Sequence, residues 1–371
     1  MSEWKECTLG EVLNLRRGYD LPHSEMKEGI IPVAGSNGII GTHNIATEME
    51  PCITVGRSGS AGSTFYYDKA WAHNTTLYID DFKGNDPKYL YYLLLSLPLK
   101  KMAGGSAVPS LNRNHIHPLN IKFPCTIETQ QRIASILSSL DSKIECNRKI
   151  CANLEAQAQA LFKHWFIDFA PFKDGKFVES ELGMIPEGWR VGRLGEIAEI
   201  TMGQSPSSSS YNEESEGVIF YQGRTEFGFR FPGVRLYTTE PKRFAKPLST
   251  LLSVRAPVGD VNVATERCCI GRGLASIESR FSHNSFIYYL LLSLKRRFDV
   301  YNGEGTVFGS INKDTLTGMK IVIPPMSRLQ DFEEIAREMD NKIFEAFQEI
   351  NRLSTLRDTL LPKLMSGQIK L

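Results

Sequence analysis

The residues best suited to catalysis or metal binding are few and scattered along this chain. His115 and His117 could present two imidazoles on one strand face, but no cysteine or carboxylate set accompanies them. Cys268 and Cys269 are adjacent, and none of the seven cysteines forms a C-x-x-C pair. We therefore expect an ordinary loop pair and free thiols, no metal site, and a reducing cytoplasmic location.

Motifs that hold nucleotides or activate nucleophiles are also missing. The sequence has no G-x-x-x-x-G-K-[ST] phosphate loop and no G-x-S-x-G elbow. Gly56, Gly59 and Gly62 are close together but do not fit G-x-G-x-x-G, and no Asn/Asp-Pro-Pro-aromatic segment of an adenine methylase occurs. We therefore expect no catalytic residues and no cofactor in this chain.

Polar, basic and glycine-rich loops are the remaining candidates for function, and they occur at similar places in both halves of the chain. Arginine can read guanine, asparagine and glutamine can read adenine, and hydroxyl groups can hold phosphates. The DNA-contact candidates in the first half are Arg16, Arg17, Ser36, Asn37, His43, Asn44, Arg57, Ser58, Ser60, His73, Asn74, Ser106, Asn112 and Arg113. Those in the second half are Gln204, Gln222, Arg224, Arg255, Arg272, Thr306, Asn312 and Lys313.

Arg57 and Arg255 are the strongest of these candidates because they occupy matching positions in turns that contain glycine or proline. Each of the other loops, taken alone, is also consistent with a simple turn. For Arg57 and Arg255 the alternative is a buried salt bridge within each half. The net charge of +1 is low for a nucleic-acid binder, so any DNA contact must come from local clusters or from a surface shared with a more basic partner.

The two halves are an internal duplication. Trp4 matches Trp189, Leu9-Gly10-Glu11 matches Leu194-Gly195-Glu196, and the run from Tyr91 to Leu97 recurs unchanged from Tyr288 to Leu294. Short apolar runs bounded by Gly, Pro, Asn or Ser predict strands within each half. Each copy is therefore expected to be a mixed α/β head followed by a long helix.

Apolar residues at alternating steps of four and three predict the long helices and mark a coiled-coil seam. A helix of about 38 residues would extend roughly 57 Å, which is too long for an ordinary core and requires a partner. Asn147 fills one seam position with a polar side chain. The predicted seam residues are Ile133, Leu137, Leu140, Ile144, Leu154 and Leu161 in the first helix, and Met339, Ile343, Ile350, Leu353 and Leu360 in the second.

The predicted fold class is α/β (α+β), with two similar mixed α/β domains that have mainly antiparallel sheets. Two long helices that form an antiparallel coiled coil separate these domains, and the whole has a pseudo-two-fold internal repeat. The predicted boundaries are head 1 at residues 1–125, the first helix at 126–169, a linker at 170–187, head 2 at 188–325 and the second helix at 326–371.

The centre and the end of the chain resemble the specificity subunits of type I restriction–modification systems. The run HWFIDFAPFKDGKFVESELGMIPEGW, residues 164–189, resembles that family's aromatic helix end and its Glu-Leu-Gly-x-Ile-Pro-x-Gly-Trp lead into a second head. The ending LLPKLMSGQIKL, residues 360–371, is similar to the family's Leu-hydrophobic-Ser-Gly ending. The resemblance covers the whole chain, including the half-repeat.

The resemblance implies a non-catalytic subunit in which two target recognition domains each read one half of a bipartite double-stranded DNA sequence. It also implies that the helices hold the heads apart and dock methylase subunits, expected to be two, and nuclease/translocase subunits. S-adenosylmethionine, ATP and Mg would then belong to those partners. Two other classes remain open: a self-contained endonuclease or methylase, and a coiled-coil assembly scaffold or degenerate specificity copy that reads no specific DNA.

Overall fold

The computed structural model describes residues 4–104, 110–302, 309–369 and 371, and it divides the chain into two compact units. Unit 1 comprises Met1–Arg148 and Phe347–Leu371, and unit 2 comprises Lys149–Ala346. Each unit therefore contains one head and one segment from each of the two long helices. No helix in the described ranges has the length and apolar content that a membrane crossing requires.

Unit 1 contains a head built mostly from short strands. Its strands are β1 (Trp4–Thr8), β2 (Asn14–Arg17), β3 (Ile31–Gly35), β4 (Gly38–His43), β5 (Cys52–Gly56), β6 (Thr64–Tyr67), β7 (Trp71–Ala72), β8 (Thr76–Asp81) and β9 (Asn120–Pro124). Its helices are α1 (Leu9–Val12), α2 (Pro87–Ser96) and α3 (Arg113–Ile116), with 3₁₀ turns at His23–Glu25 and Leu99–Met102. The first long helix, α4 (Ile127–Phe166), begins in this unit.

The sheets of head 1 are mainly antiparallel. One sheet has the order β2-β8-β5-β6, a second has the order β4-β3-β7, and β1 pairs with β9. Only β3 and β7 run parallel among the described pairs of this head. Helix α2 has a capped start, since the Asp86 side chain accepts a 2.7 Å hydrogen bond from the Tyr89 N–H and Pro87 follows it.

Unit 2 repeats this plan with more strands. Its strands are β10 (Phe177–Ser180), β11 (Gly183–Pro186), β12 (Arg190–Arg193), β13 (Ala198–Met202), β14 (Tyr211–Asn212), β15 (Val218–Tyr221), β16 (Leu236–Thr238), β17 (Phe244–Ala245), β18 (Thr250–Ser253), β19 (Val261–Val263), β20 (Cys268–Ile270), β21 (Leu274–Ser279) and β22 (Lys320–Ile323). Its helices are α5 (Leu194–Ile197), α6 (Asn284–Ser293), α7 (Lys295–Asp299) and α8 (Lys313–Thr317), and the second long helix, α9 (Met326–Met365), begins here. The 3₁₀ turns are Ala170–Phe172, Ser208–Ser210, Arg224–Glu226 and Val300–Asn302.

The strand orders confirm that the two heads are copies of one fold. The sheet β13-β21-β18-β19 corresponds to β2-β8-β5-β6, and β12–β22 corresponds to β1–β9. The parallel pair β15–β20 takes the place of β3–β7. The mixed α/β class with mainly antiparallel sheets is therefore confirmed in both halves.

The long helices pair antiparallel within each unit of the same chain. In unit 1, Arg357 lies 2.8 Å from Asp141, and Asn147 donates a 2.7 Å hydrogen bond to Glu349, so α9 runs backwards along α4. In unit 2, the rings of Phe162 and Phe332 are 5.7 Å apart. Asn147 is buried, and its bond to Glu349 gives the polar seam position a defined partner.

The buried face of α4 changes by one position along the helix. Ile133, Leu137 and Ile144 are buried as the heptad pattern predicts. In unit 2, Leu154 and Leu161 are only half-buried, whereas Glu155 and Phe162, one residue further on, are buried. The buried face of a straight α-helix drifts away from positions that repeat every 3.5 residues. The buried positions of α4 follow this drift rather than the strict heptad pattern. In α9 the predicted seam positions are all buried or half-buried.

The repeated Leu-Gly-Glu triplet starts a short helix in each head. The Glu11 side chain accepts a 2.7 Å hydrogen bond from the Thr8 N–H, and Glu196 does the same for Arg193. A Cβ at Gly195 would collide with Thr317, because the helix lies directly against its neighbour there. The triplet is therefore a helix start with close packing, and its repetition reflects fold rather than DNA contact.

The segment predicted as a linker at 170–187 has structure of its own. It contains a 3₁₀ turn and the antiparallel hairpin β10–β11. The Trp189 ring lies 5.3 Å from Phe169 and 5.8 Å from Phe166, so the aromatic motif forms a packed cluster at the end of α4. The polar connection is thus an ordered element fixed by aromatic contacts.

Candidate nucleic-acid interface

Three of the polar loops predicted in head 1 meet at Thr75. The Thr75 carbonyl accepts hydrogen bonds from the N–H groups of Arg57 and Ser58, at 2.8 and 3.3 Å. Its hydroxyl accepts a 3.3 Å bond from the Ser36 N–H and lies 3.0 Å from Nδ1 of His73. Two loops that are distant in sequence are therefore held together by the backbone carbonyl and the hydroxyl of a residue in a third.

Two further loops join the same group. The N–H of Gly18 donates to the carbonyl of Thr76 at 3.0 Å, and the N–H of Leu111 donates to the carbonyl of Arg57 at 2.7 Å. A Cβ at Gly18 would collide with the carbonyls of Ala72 and His73, so glycine permits this close approach. We call residues 18–19, 36, 57–58, 72–76 and 110–112 loop cluster 1.

Head 2 forms the corresponding group, loop cluster 2, from residues 203–204, 221–223, 254–256, 271–274 and 309–311. The Gln204 N–H donates to the Ile270 carbonyl, and the Gly271 N–H donates to the Tyr221 carbonyl, at 2.9 and 2.8 Å. The Val254 N–H donates to Gly273, and the Ile311 N–H donates back to Val254. The loop arrangement is therefore repeated in the two heads, as the sheets are.

Arg57 and Arg255 lie in corresponding loops of the two clusters but are offset by one residue. Arg57 directly follows β5, and Leu111 donates to its carbonyl; Val254 directly follows β18, and Ile311 donates to its carbonyl. Isolated bridges join Ser58 to Ser110 and Arg255 to Ser310, so Arg255 corresponds to Ser58. Among the described residues neither arginine has a salt bridge, so the buried ion pair that was their alternative role is not present there.

Loop cluster 1 borders a cleft of about 410 Å³ that contains four arginines, Arg16, Arg17, Arg57 and Arg113, together with Ser110 and Asn112. Leu77 and Leu111 form its buried floor. We call this the arginine cleft. All four arginines were DNA-contact candidates from the sequence, and the fold brings them to one place from three separate segments of the chain.

The polar candidates of loop cluster 1 differ in their exposure and in the hydrogen bonds that their side chains form within the head. Asn37 is exposed at the tip of the β3–β4 turn, and Ser58 and Ser60 are half-buried beside Arg57. Asn74 donates to the carboxylate of Asp20, which also pairs with Arg17. Asn112 accepts a hydrogen bond from the Asn114 N–H, so its oxygen caps α3 while the amide N–H₂ group is left for a ligand.

The candidates of head 2 form a less basic surface. Gln204, Gln222 and Lys313 are exposed, and the Asn312 oxygen accepts from the Thr315 N–H as a helix cap. The backbone N–H of Arg272 donates to the Ser205 hydroxyl at 3.2 Å. Arg224 is paired with Asp260, whose other oxygen lies 2.7 Å from Lys295, so its charge is already compensated.

Two of the DNA-contact candidates lie away from the clusters. His43 is 5% exposed, its Nδ1 accepts a 3.0 Å hydrogen bond from the Lys27 N–H, and its ring packs edge-on against Trp71. The DNA-contact prediction for His43 is therefore wrong, because the imidazole is enclosed by its own head. Asn44 follows it at the opposite end of the β3–β4 hairpin from Ser36. Ser106 and Thr306 lie outside the described residues.

Two histidines near loop cluster 1, His73 and His117, are half-buried and form hydrogen bonds within head 1. Nε2 of His117 accepts a 3.0 Å hydrogen bond from the Leu15 N–H. Burial, with Arg113 and Lys83 nearby, lowers the pKa of His117 and favours this neutral acceptor form. Burial likewise lowers the pKa of His73. In the described ranges no group of three or more His, Cys, Asp or Glu side chains is arranged to hold a metal ion.

Residue chemistry selected the loop that contains Thr75, but it did not name Thr75 or Asp20 as DNA-contact candidates. Thr75 contributes through its carbonyl and hydroxyl to neighbours that are remote in sequence, and Asp20 is an acid among basic residues. The neighbouring candidates His73 and Asn74 were the sequence signal that pointed to the Thr75 region. Their roles depend on the tertiary contacts.

The chain matches the model of the Type I restriction modification DNA specificity domain twice, over residues 1–156 and 186–361. One relative, from Methanocaldococcus jannaschii, carries the name MjaX specificity subunit of a type I restriction enzyme; it is 37% identical over 294 residues, which cover 77% of this chain and 68% of the relative. The MjaIX specificity subunit from the same organism is 32% identical over 305 residues, covering 76% of this chain and 69% of that protein.

The fold agrees with a solved member of the same group. The S subunit of a type I restriction–modification system from M. genitalium superposes with a TM-score of 0.65 at 20% identity, covering 98% of this chain and 96% of that chain. The two family-model matches fall on the two repeats described above, each with a head and part of a long helix. The chain therefore belongs to the type I restriction–modification DNA specificity subunits.

Proposed function

We propose that each head reads one half of a bipartite double-stranded DNA sequence, with loop cluster 1 on one half-sequence and loop cluster 2 on the other. The observation that supports this most strongly is that the same loop arrangement is built twice, around Arg57 in head 1 and around Val254, next to Arg255, in head 2. The two clusters differ in side chains while their backbone bonds correspond. Two heads that share a loop backbone but carry different side chains suit a DNA target with two different half-sequences.

The subunit acts in this proposal without catalytic residues of its own. Its partners are two methylase subunits and the nuclease/translocase subunits of the same system, and the long helices dock them. S-adenosylmethionine, ATP and Mg belong to those partners, and the complex works in the cytoplasm. Support comes from the family membership and from the lack of nucleotide and nucleophile motifs in the sequence.

The experiment is to express the full chain with its cognate methylase subunit in a host that lacks adenine methylation, and to map methylated adenines across the genome. A two-part motif with a fixed unspecified spacer is expected. A short undivided motif would mean that one head alone reads DNA. A stable complex that methylates nothing would support the scaffold or degenerate-copy function instead.

A further inference from the structure

The arginine cleft concentrates positive charge that the head itself does not compensate. Arg17 lies 3.3 Å from Asp20, and both side chains are more than half exposed, so water screens this pair strongly. Arg16 lies over the ring of Tyr19, and Arg113 donates a 3.3 Å hydrogen bond to the Leu15 carbonyl. In the described part of the chain, Asp20 is the one carboxylate in ion-pair contact with any of the four guanidinium groups.

Four like charges around one cleft repel each other, and a ligand that relieves this repulsion must carry negative charge. A base edge is neutral and offers a few acceptors, whereas a DNA phosphate carries a full charge and accepts the paired N–H groups of arginine. The cleft volume of about 410 Å³ exceeds the share of roughly ten water molecules, so a phosphate can enter with part of its sugar.

Head 2 does not repeat this charge. Gly18 and Gly203 match in the duplication, and the two residues before Gly18 are Arg16 and Arg17, whereas those before Gly203 are Thr201 and Met202. Arg113 is replaced by Lys313, and the backbone bonds place Val254 at the position of Arg57, with Arg255 one residue further along. The four equivalent positions thus hold four cations in head 1 and one in head 2, with Arg255 adjacent to them.

We propose that the arginine cleft binds backbone phosphate of the DNA beside the first half-sequence, through Arg16, Arg17 and Arg113, and that head 1 thereby supplies more of the salt-dependent affinity than head 2. Arg57, whose loop also carries an arginine in head 2, Arg255, is left for base contact. This inference rests on the proposed function, because it assigns a DNA-backbone role within a surface already proposed to read DNA.

The test measures the affinity of the full chain, purified with its methylase subunits, for a labelled duplex that carries the motif found by methylome mapping. Titrations between about 50 and 200 mM salt give the slope of log affinity against log salt, which changes by about 0.9 for each phosphate contact. The variants are Arg16→Ala with Arg113→Ala, the milder Arg16→Ala, and the charge-keeping Arg16→Lys with Arg113→Lys. Lys27→Ala is the control, since Lys27 lies beside His43 at the other end of the β3–β4 hairpin.

We expect the double alanine variant to lose about tenfold or more in affinity and about 2 in slope, with the methylated motif unchanged. Arg16→Ala should lose about 1 in slope, while the lysine variant and Lys27→Ala should keep the original slope. A slope that stays at the wild-type value, with the fold intact by thermal melting, would overturn the proposal. So would relaxed preference at one base position, which indicates base reading by Arg16 or Arg113.

The experiment distinguishes failure of the proposed function from failure of the phosphate-binding proposal. If the unaltered complex bound motif and scrambled duplexes equally, sequence reading would be refuted. The slope difference between Arg16→Ala and the unaltered chain on the scrambled duplex would still decide whether the cleft contacts phosphate.

Discussion

Tyr92 donates a 2.6 Å hydrogen bond to Oδ2 of Asp141, and Arg357 holds the other oxygen of the same carboxylate at 2.8 Å. This joins head 1 to both long helices through one side chain. In unit 2 the duplicated tyrosine, Tyr289, donates a 2.8 Å bond to Asp340, and the arginine on that carboxylate is Arg230. The same tyrosine–aspartate–arginine bridge thus fixes each head to its helices, although the arginine comes from α9 in one unit and from a head loop in the other.

Replacing Tyr92 by phenylalanine should lower the free energy of unfolding by about 1–2 kcal/mol, because Asp141 loses one charge-assisted hydrogen bond and keeps Arg357. Urea denaturation of the full chain followed by tryptophan fluorescence measures the change. Tyr91→Phe is the matched control, since the Tyr91 hydroxyl has no hydrogen-bond partner among the described residues. Equal effects of the two substitutions would show that the bridge contributes nothing.

Replacing Arg230 by methionine should have a larger effect, about 3–5 kcal/mol, because it leaves Glu155 buried without its cation. Arg230 is 3% exposed and pairs with both Glu155 and Asp340. Burial opposes the charge of Arg230, but Asp340, the nearby tyrosines and Glu155 outweigh it, and the pKa of Arg230 is raised. The arginine is therefore charged at any working pH.

The free energy of unfolding from urea titrations tests this, with Arg328→Met as the control. Arg328 pairs with Asp331 at the surface, so its loss should cost less than about 1 kcal/mol. Adding Glu155→Gln to Arg230→Met should recover part of the loss, because it removes the uncompensated charge. If Arg230→Met cost no more than Arg328→Met, the buried ion network would not stabilise unit 2.

Lengthening both long helices by the same amount should change the DNA spacer and leave both half-sequences intact. An insertion of about four residues, close to one helical turn, after Arg148 and again before Phe347 falls between the residues of the two units. Each head and its loop cluster keeps every contact described above. Methylome mapping should show the same half-sequences with a different spacer, or no methylation. An altered half-sequence with the old spacer would refute the role of the helices in spacing.

Much of the fold was predictable because the sequence contains an internal duplication. The repeats of Leu9-Gly10-Glu11 and of the run from Tyr91 to Leu97 identified the heads, and the apolar spacing identified both helices. The burial of Glu155 was not predictable, since a search for apolar periodicity passes over a carboxylate whose partner, Arg230, is remote in sequence. The hairpin β10–β11 was missed because its flanking aromatic contacts determine it more than its polar sequence does.

The candidate site was predictable as a set of loops but not as a surface. Residue chemistry selected Arg16, Arg57 and Arg113, and the fold then placed them in one cleft. The same chemistry selected His43, which is enclosed against Trp71, because residue type carries no information on burial. Thr75 joins the loops through its hydroxyl and its backbone carbonyl, and the carbonyl, a group that every residue has, leaves no signal in the side-chain pattern.

The central claim, that each head reads its own half-sequence, is tested most directly by comparing the methylomes of the unaltered chain, Arg57→Ala and Arg255→Ala, each expressed with the methylase subunit. Loss of a base contact should weaken binding by about 1–3 kcal/mol and relax a single position. We predict that Arg57→Ala relaxes one half of the motif and Arg255→Ala relaxes the other, with an unchanged spacer in both. Relaxation of the same half by both substitutions, or uniform weakening with no change of motif in either, would contradict the account.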